Sequence, residues 1–383
     1  MGQHSSGGQL PATIAERLVA VNWPLLALVA LIAIVGIAQL QSAAGGSMSP
    51  WADKQAWRLV FGLALVILLA ILPIRLWIGL AYPAYAAGLV LLVLVVVAGN
   101  EALGARRWLK LGELSLQPSE VMKIGLVLAL ARYYLWLPPE RVSQPLWVAI
   151  PLVLIVIPVA LVLTQPDLGT ATLFAAVGFA LMFLAGVSML YFLGGAMGLA
   201  IASPLIWMGL HDYQRRRVTT FLSPDADPLG AGYHITQSKI AVGSGGWSGL
   251  GHLGGLQSHL DFLPEKHTDF AFAMFAEEWG FVGAASLLAL YGVLIAMLIA
   301  MALACRSGFS RIVIAGTCIS ISIYVVINVA MVTGLVPVVG VPLPLVSYGG
   351  TAMITVMISL GLAMCAWVNR RAVIRPDELR ALI

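Results

Sequence analysis

The chain is predicted to fold as an all-α, polytopic membrane protein with about ten transmembrane helices and one long loop between spans 7 and 8. Of its 383 residues, 60% are hydrophobic, whereas soluble domains contain roughly 45–50%. Only 10% are charged, and the mean hydropathy is +0.96. Apolar runs of about 20 residues, the length that crosses a bilayer as a helix, recur along the chain.

These apolar runs divide the chain into a polar lead, one membrane domain and a basic tail. We predict the spans at 21–43, 56–74, 76–99, 117–137, 145–164, 168–187, 189–210, 270–303, 311–332 and 346–368. The lead covers 1–20, the membrane domain 21–368 with its long loop at 211–268, and the tail 369–383. An even number of spans places both termini on one side.

The basic residues indicate the orientation, because Arg and Lys in short loops favour the cytoplasmic side. Cytoplasmic termini place these residues on that side: Arg17, Arg75, Arg132, Arg141, Arg306, Arg311, Arg370, Arg371, Arg375 and Arg380. The opposite side is equally basic, but mostly in two loops, and long loops translocate largely regardless of charge. The clusters of basic residues in those two loops either bind an anionic ligand or form a solvated face near lipid head groups.

The three cysteines, Cys305, Cys318 and Cys365, fall in or at the ends of apolar runs. No CxxC pair occurs. We therefore predict small core residues and no disulfide framework.

A polar stretch at 261–270 ends where the chain becomes apolar again. It holds Asp261, Glu265, Lys266, His267 and Asp269. A carboxylate at this junction is half desolvated, which raises its pKa and suits it to proton transfer. The alternative is a helix cap, with Thr268 or Asp269 as the N-cap residue.

Two further polar positions interrupt the apolar pattern. Glu120 and Lys123 are three residues apart, so they share a helix face and can pair, either as functional intramembrane charges or as a snorkelling structural pair. Asp167 lies in a polar break between two spans, either as a helix cap or as part of a polar site.

The long loop contains a predicted amphipathic helix at 232–243 and then a glycine-rich segment at 243–255. The GxGxxG within that segment is not a dinucleotide fingerprint, because no strand precedes it. The segment is either a backbone pocket for phosphate oxygens or a flexible connector. The prolines and glycines of 334–350 predict irregular backbone that lines a cavity or is buried in protein.

Five motifs occur in a specific order along the chain: GARRWL at 104–109, QPSE at 117–120, QPDLGT at 165–170, FLPEKHTDF at 262–270 and PLPLVSYGG at 342–350. With them the chain resembles the SEDS family of bacterial ten-span peptidoglycan glycosyltransferases, from about residue 20 to 370. The run at 338–344 resembles the elongation branch of that family rather than its division branch. Asp261 stands where many relatives carry Glu, which keeps the charge.

The resemblance implies a polymerase of lipid II at the periplasmic face of the inner membrane, acting in cell elongation and releasing undecaprenyl pyrophosphate. Asp269 matches the family's essential loop aspartate, and Trp108 and Glu120 match positions linked to substrate handling. The implied partner is a class B penicillin-binding protein, a transpeptidase. The resemblance also suggests a divalent cation, Mg or Mn, and no organic cofactor or nucleic acid is expected.

We assign the catalytic base to Asp269, which would take the proton of the attacking sugar hydroxyl. The candidate substrate-binding residues are Arg106, Arg107, Trp108, Lys110, Glu120, Lys123, Asp167, Arg215, Arg216, Arg217, Lys239, Lys266, His267 and Ser347. Arg and Lys suit pyrophosphate because their hydrogen bonds to it are charge-assisted. Asp269 could instead be a metal ligand or position the substrate. The alternative functions are a lipid flippase or transporter, a non-catalytic scaffold, and the division paralogue.

Overall fold

The computed structural model describes residues 13–102, 105–111, 114–209, 215, 219–221, 223, 231–259, 262–263 and 265–373. Helices dominate this part of the chain. They are α1 Ile14–Val19, α2 Trp23–Ala43, α3 Ala52–Ile71, α4 Ile74–Ala98, α5 Pro118–Trp136, α6 Pro145–Leu163, α7 Leu168–Leu184, α8 Met189–Gly209, α9 Ala231–Ser244, α10 Leu256–His259, α11 Ala271–Ala304, α12 Gly308–Val332 and α13 Gly350–Val368, with a 3₁₀ turn at Pro139–Arg141.

The predicted fold class is confirmed, and ten of these helices match the ten predicted spans. Within the described residues, seven helices have the length and apolar composition of a membrane crossing, and α7 and the part of α8 from Met189 to Leu205 are shorter apolar segments. The tenth, α5, contains three charged residues, Glu120, Lys123 and Arg132, within its 19 residues. The chain is therefore a multi-pass membrane protein.

The largest differences from the predicted span boundaries are two helix starts, each shifted by four residues for a local reason. Helix α3 begins at Ala52 rather than 56, because its first turn is polar and hydropathy does not detect it. Helix α13 begins at Gly350 rather than 346. The residues between Thr333 and Gly349 form neither helix nor strand, as their prolines and glycines predict.

A small three-stranded antiparallel sheet was not predicted. Its strands are β1 Asn100–Ala102, β2 Ala105–Leu111 and β3 Leu114–Leu116, in that spatial order. Strand β2 is central: Leu109 pairs with Leu116, and Glu101 pairs with Arg106. The sheet holds the segment between α4 and α5 in a fixed shape and carries Arg107 and Trp108.

Two large buried clusters form the core, and a third, small cluster of Leu173, Tyr324 and Val341 lies at the candidate site. One large cluster is built mainly from α2, α3, α11, α12 and α13, and the other from α4, α5, α6 and α7. Glycines allow close approach at helix contacts, as is usual in membrane bundles. A Cβ on Gly125 of α5 would lie 2.9 Å from the Cα of Tyr85 in α4. The three cysteines are free and buried, as predicted.

Candidate active site

Asp269 is the second-last residue of a turn over residues 265–270, and Phe270 separates it from the first residue of α11, Ala271. The helix N-cap is Phe270, and no side-chain hydrogen bond caps the helix, so the alternative of Thr268 or Asp269 as N-cap is wrong. Thr268 instead donates its hydroxyl to Glu265 Oε2 at 2.8 Å. The Asp269 side chain is half-buried, and its predicted pKa rise stays a prediction.

The backbone around Asp269 is held from two neighbouring elements. Asn328 Nδ2, buried in α12, donates to the Asp269 carbonyl at 2.9 Å and to the Val341 carbonyl at 2.7 Å. Ser347 Oγ donates to the Thr268 carbonyl at 2.6 Å. A Cβ on Gly340 would lie 3.3 Å from Asp269 Oδ2, so the carboxylate packs against the proline-rich segment. These contacts fix the approach of the main chain to the cavity.

His267 is fixed by aromatic stacking beside this turn. Its ring lies 4.3 Å from that of Trp51 at an interplanar angle of 14°. The Tyr348 amide donates to the His267 carbonyl at 2.8 Å, and the Arg58 guanidinium lies 4.7 Å from the Tyr348 ring centroid. Burial lowers the pKa of His267 below 6.5; Glu265 opposes this and Lys266 adds to it. His267 is therefore held in the turn by stacking on Trp51, and it is not among the residues that line the polar cavity described below.

A second wall of the site carries two ion pairs. Lys123 Nζ lies 2.7 Å from Glu120 Oε1, and it also contacts the Tyr324 hydroxyl. Arg107 Nε lies 3.7 Å from Asp167 Oδ2. Both pairs are largely removed from solvent, and the Glu120 side chain is 8% exposed. Each pair neutralises a charge that would be costly to bury alone.

Asp167 is a helix cap and a site residue at once, so both alternatives hold. Its Oδ1 accepts from the Thr170 amide at 3.1 Å, and its Oδ2 accepts from the Thr170 hydroxyl at 2.9 Å. Arg107 also donates to the carbonyls of Gln165 and Pro166. The polar break between α6 and α7 is thereby tied to strand β2.

These elements enclose a polar cavity of about 210 Å³. Its wall includes Arg107, Trp108, Glu120, Asp167, Thr170, Asp269, Tyr324, Gly340 and Tyr348. A second, mainly apolar recess of about 50 Å³ lies between α5, α12 and α13. The two share Glu120, Tyr324, Pro342 and Ala352. The arrangement offers acid–base groups and cations beside an apolar recess.

Some of the predicted site residues converge at this cavity, although they come from separate parts of the chain. Five of them line the polar cavity: Arg107, Trp108, Glu120, Asp167 and Asp269. Lys123 and Ser347 lie on the wall of the apolar recess. The Ser347 hydroxyl also accepts from the Leu343 amide at 2.8 Å, so its main role is to hold two loops together.

Other predicted binding residues lie away from this cavity, and their role in substrate binding stays a prediction. Arg215 donates to the carbonyls of Trp207 and Met208 at the end of α8. Lys239 lies over Gly334, where a Cβ would meet its Cε at 2.1 Å. Neither residue, nor Lys266, lines the polar cavity. Arg216 and Arg217 lie outside the described residues, as do the side chains of Arg106 and Lys110, which belong to β2.

Sequence reasoning missed Tyr324 and Asn328. Both lie on α12, four residues apart, and therefore share one face of that predominantly apolar helix. Such a polar pair within a span is the signal that could have identified them. Tyr348 and Thr170 fall inside the quoted motifs, but only the structure shows that they line the cavity.

A divalent-cation site is not preformed in the described part of the chain, where no group of three or more His, Cys, Asp or Glu residues is arranged to hold a metal. The cavity nevertheless supplies single carboxylates at Asp269 and Asp167. Mg²⁺ commonly binds through one or two carboxylates together with substrate phosphates. The residues present fit that mode of binding.

The fold and the cavity define a class: a multi-pass membrane protein with acid–base groups in a polar chamber at the end of its helix bundle. The family of cell cycle proteins FtsW, RodA and SpoVE matches residues 16–372, and the chain belongs to that family. The membership predicted from the five motifs is confirmed.

Several relatives are similar over most of the chain. The peptidoglycan glycosyltransferase MrdB of Escherichia coli K12 is 44% identical over 352 residues, which are 91% of this chain and 94% of that protein. The probable peptidoglycan glycosyltransferase FtsW of Trichlorobacter lovleyi is 36% identical over 295 residues, 76% of each chain. These identities agree with the predicted elongation branch.

Two solved structures share the fold. One belongs to a peptidoglycan synthase complex described for the structural coordination of polymerization and crosslinking; its TM-score is 0.81 at 39% identity, covering 92% of this chain and 99% of that one. The other is the rod shape determining protein RodA of Thermus thermophilus, with a TM-score of 0.69 at 35% identity, covering 92% and 98%.

Proposed function

We propose that the chain is a peptidoglycan glycosyltransferase that polymerises lipid II into glycan strands during cell elongation. The observation that carries this proposal is the position of Asp269, whose half-buried carboxylate shares one cavity with Glu120, Asp167 and Arg107. The relatives named as peptidoglycan glycosyltransferases support the same reaction.

The reaction joins the 4-hydroxyl of one sugar to the anomeric carbon of another. Asp269 takes the hydroxyl proton as the new C–O bond forms, and the bond from the anomeric carbon to the pyrophosphate oxygen breaks. Undecaprenyl pyrophosphate leaves with the electron pair. General-base help of this kind contributes about 10²–10⁴-fold.

The remaining groups bind and orient the two reactants. Arg107 offers a cation to the pyrophosphate, and Lys123 holds the Glu120 carboxylate in place at the boundary with the apolar recess. The apolar recess suits the first part of a lipid tail. A divalent cation, when bound, would neutralise pyrophosphate charge, with Asp167 as its protein ligand, which leaves Asp269 free to act as the base.

The proposed setting is the bacterial inner membrane, with both termini cytoplasmic and the cavity periplasmic. The proposed partner is a class B penicillin-binding protein, a transpeptidase that crosslinks the new strand. The similarity to a chain of a peptidoglycan synthase complex supports such a partnership.

The test is polymerisation of labelled lipid II by the purified chain, alone and with its transpeptidase. Wild type should form long glycan, and Asp269→Asn should form none while it folds normally. Glu140→Gln, an exposed carboxylate in the 3₁₀ turn, is the matched control. Near-wild-type polymer from Asp269→Asn would refute the base assignment. Absence of polymer under every condition, with lipid II crossing vesicle membranes, would support the flippase.

A further inference from the structure

Helix α11 is interrupted at Gly280, and a second segment of the chain fills the interruption. Gly280 has φ +63° and ψ −165°, so it cannot continue the helical hydrogen-bond ladder. The residues at 246–251 supply the missing partners, and we refer to them as the glycine clasp. Backbone polar groups at membrane depth must be satisfied within the protein, which explains why the clasp is ordered.

Four main-chain hydrogen bonds join the clasp to the two halves of α11. The amides of Leu250 and Gly251 donate to the carbonyls of Glu277 and Glu278, both at 3.0 Å. The amides of Phe281 and Val282 donate to the carbonyls of Gly246 and Trp247, at 2.8 and 3.1 Å. The clasp therefore supplies main-chain hydrogen-bond partners where the helical hydrogen bonds of α11 are interrupted.

Glycine is required at the closest points of this contact. A Cβ on Gly249 would lie 2.1 Å from the Glu278 carbonyl oxygen, and one on Gly280 would lie 2.3 Å from the Gly249 amide nitrogen. Both glycines also have positive φ. The glycine-rich segment is thus neither a phosphate pocket nor a flexible connector, since its main chain is bonded to α11.

Two buried carboxylates lie directly at the break. Glu277 is 0% exposed and Glu278 is 1% exposed. Glu277 Oε1 accepts from the Gln257 amide at 2.8 Å, at the start of α10. Glu278 Oε1 accepts from the Ser42 hydroxyl in α2, and its Oε2 lies 3.6 Å from His252 Nδ1. The two acids therefore contact the residues that follow the clasp, Gln257 and His252, and also Ser42 of α2.

The half of α11 before the break links these acids to Asp269. It is short, and every residue from Ala271 to Glu278 is buried. At its start lies Asp269, and Asn328 and Ser347 hold the turn there. The Leu263 amide donates to the Gln257 carbonyl at 3.3 Å, so the clasp side of the loop is tied to the segment that leads into the turn.

We infer that Glu277 and Glu278 are positioning residues for Asp269, which act by locking the first half of α11 to the glycine clasp. The inference rests on the proposed function for its kinetic consequence. Neither acid lines the polar cavity, so neither touches the reacting groups. Glu277 fixes α10 and the loop that leads to the turn, and Glu278 fixes the clasp against α2.

The kinetic arm compares Glu277→Ala with Glu277→Gln. The Ala variant loses the acceptor for the Gln257 amide, and we expect kcat for lipid II polymerisation to fall about 10–100-fold with KM within about twofold. The Gln variant keeps an acceptor oxygen and should be at least fivefold more active than Ala. Glu140→Ala, on the exposed 3₁₀ turn, should match wild type.

A second variant removes the donor instead of the acceptor. Gln257→Pro deletes the amide hydrogen at the second residue of α10, where a proline is sterically tolerated. It should reproduce the kinetic defect of Glu277→Ala. The kcat of the double variant should be no lower than that of either single variant, because the two substitutions remove the same hydrogen bond. Additive defects would overturn the assignment.

Hydrogen exchange provides a readout that does not depend on activity. In Glu277→Ala, amide exchange should rise at 250–257 and at 265–270, while α13 stays protected. Unchanged exchange at 265–270, or wild-type kcat in Glu277→Ala, would overturn the inference. A wild type that forms no polymer would refute the proposed function alone, because exchange still reports whether Glu277 holds the turn.

Discussion

Asn328 donates one side-chain amide group to two carbonyls, that of Asp269 at 2.9 Å and that of Val341 at 2.7 Å. A single residue near the C-terminal end of α12 therefore sets the distance between the turn that carries Asp269 and the proline-rich segment opposite. The side chain is fully buried. Its contribution should be geometric, because the amide does not titrate.

Asn328→Ala should lower kcat more than it raises KM. It leaves two buried carbonyls without this donor, which costs about 1–3 kcal/mol each where no water replaces it. We expect kcat for polymerisation to fall about tenfold or more and the thermal midpoint to fall. Ser322→Ala, which removes a hydroxyl bonded within the same helix to the Cys318 carbonyl, is the control. If both variants lowered kcat equally, the hydrogen bonds from Asn328 to the two carbonyls would not be the cause.

The helices and part of the site could be predicted from the sequence, because both depend on local signals. Apolar length gives the spans, and a charge next to an apolar run identifies Glu120, Asp167 and Asp269. Such signals say which residues are costly to bury. They do not indicate which residues contact one another in the fold. The sequence therefore predicts Lys239 and Arg215 as binding residues, whereas they pack against Gly334 and the end of α8.

The glycine clasp shows why the rest could not be predicted. Its role depends on pairing between 246–251 and a break in α11 about 30 residues later, and neither segment alone indicates the other. Glycine-rich composition is equally typical of a linker. The small sheet is similar, because β2 pairs on both sides in a segment too short and mixed to show a clear alternation.

Gly36→Ala should destabilise the fold. A Cβ at this position in α2 would lie 2.6 Å from the Val346 Cα and 2.9 Å from the Leu345 carbonyl oxygen, both main-chain atoms that cannot turn aside. Overpacking of this kind costs about 1–3 kcal/mol. The thermal midpoint in detergent should fall accordingly.

Gly292→Ala is the matched control for this change. It lies in α11 with nothing within 4 Å of the added methyl group. Alanine is favoured over glycine in a helix by about 0.5–1 kcal/mol, so this variant should be neutral or slightly more stable. A similar loss in both variants would show that the contact with Val346 is not responsible.

His267 should make stability pH-dependent on the acid side. Burial holds its pKa below 6.5, the value of the unfolded chain. As the pH falls through 6.5, the unfolded state binds more protons than the folded state. The stability conferred by the neutral ring is therefore complete above 6.5 and is lost as the pH falls toward the folded pKa.

The measurement is the thermal midpoint of wild type and His267→Gln between about pH 7 and pH 5. The difference between the two proteins isolates this residue from the other histidines. Wild type should lose more stability than the variant over that interval. Parallel pH profiles would show that the stack on Trp51 tolerates the charged ring.

Tyr324 should tune the Glu120–Lys123 pair without taking part in bond making. Its hydroxyl contacts Lys123 Nζ, which also lies 4.6 Å from the ring centroid, and the residue borders both the polar cavity and the apolar recess. Tyr324→Phe keeps the ring and its cation–π contact but loses the hydroxyl contact. A hydrogen bond to a charged group is worth about 1.5–3 kcal/mol, so we expect kcat/KM for lipid II to fall about 10–100-fold. Tyr191→Phe, exposed and bonded to the Ser143 carbonyl, should have no effect. If both variants retain wild-type kcat/KM, then Lys123 is held by Glu120 alone. The boundary between the polar cavity and the apolar recess would then be set by shape rather than by the Tyr324 hydroxyl.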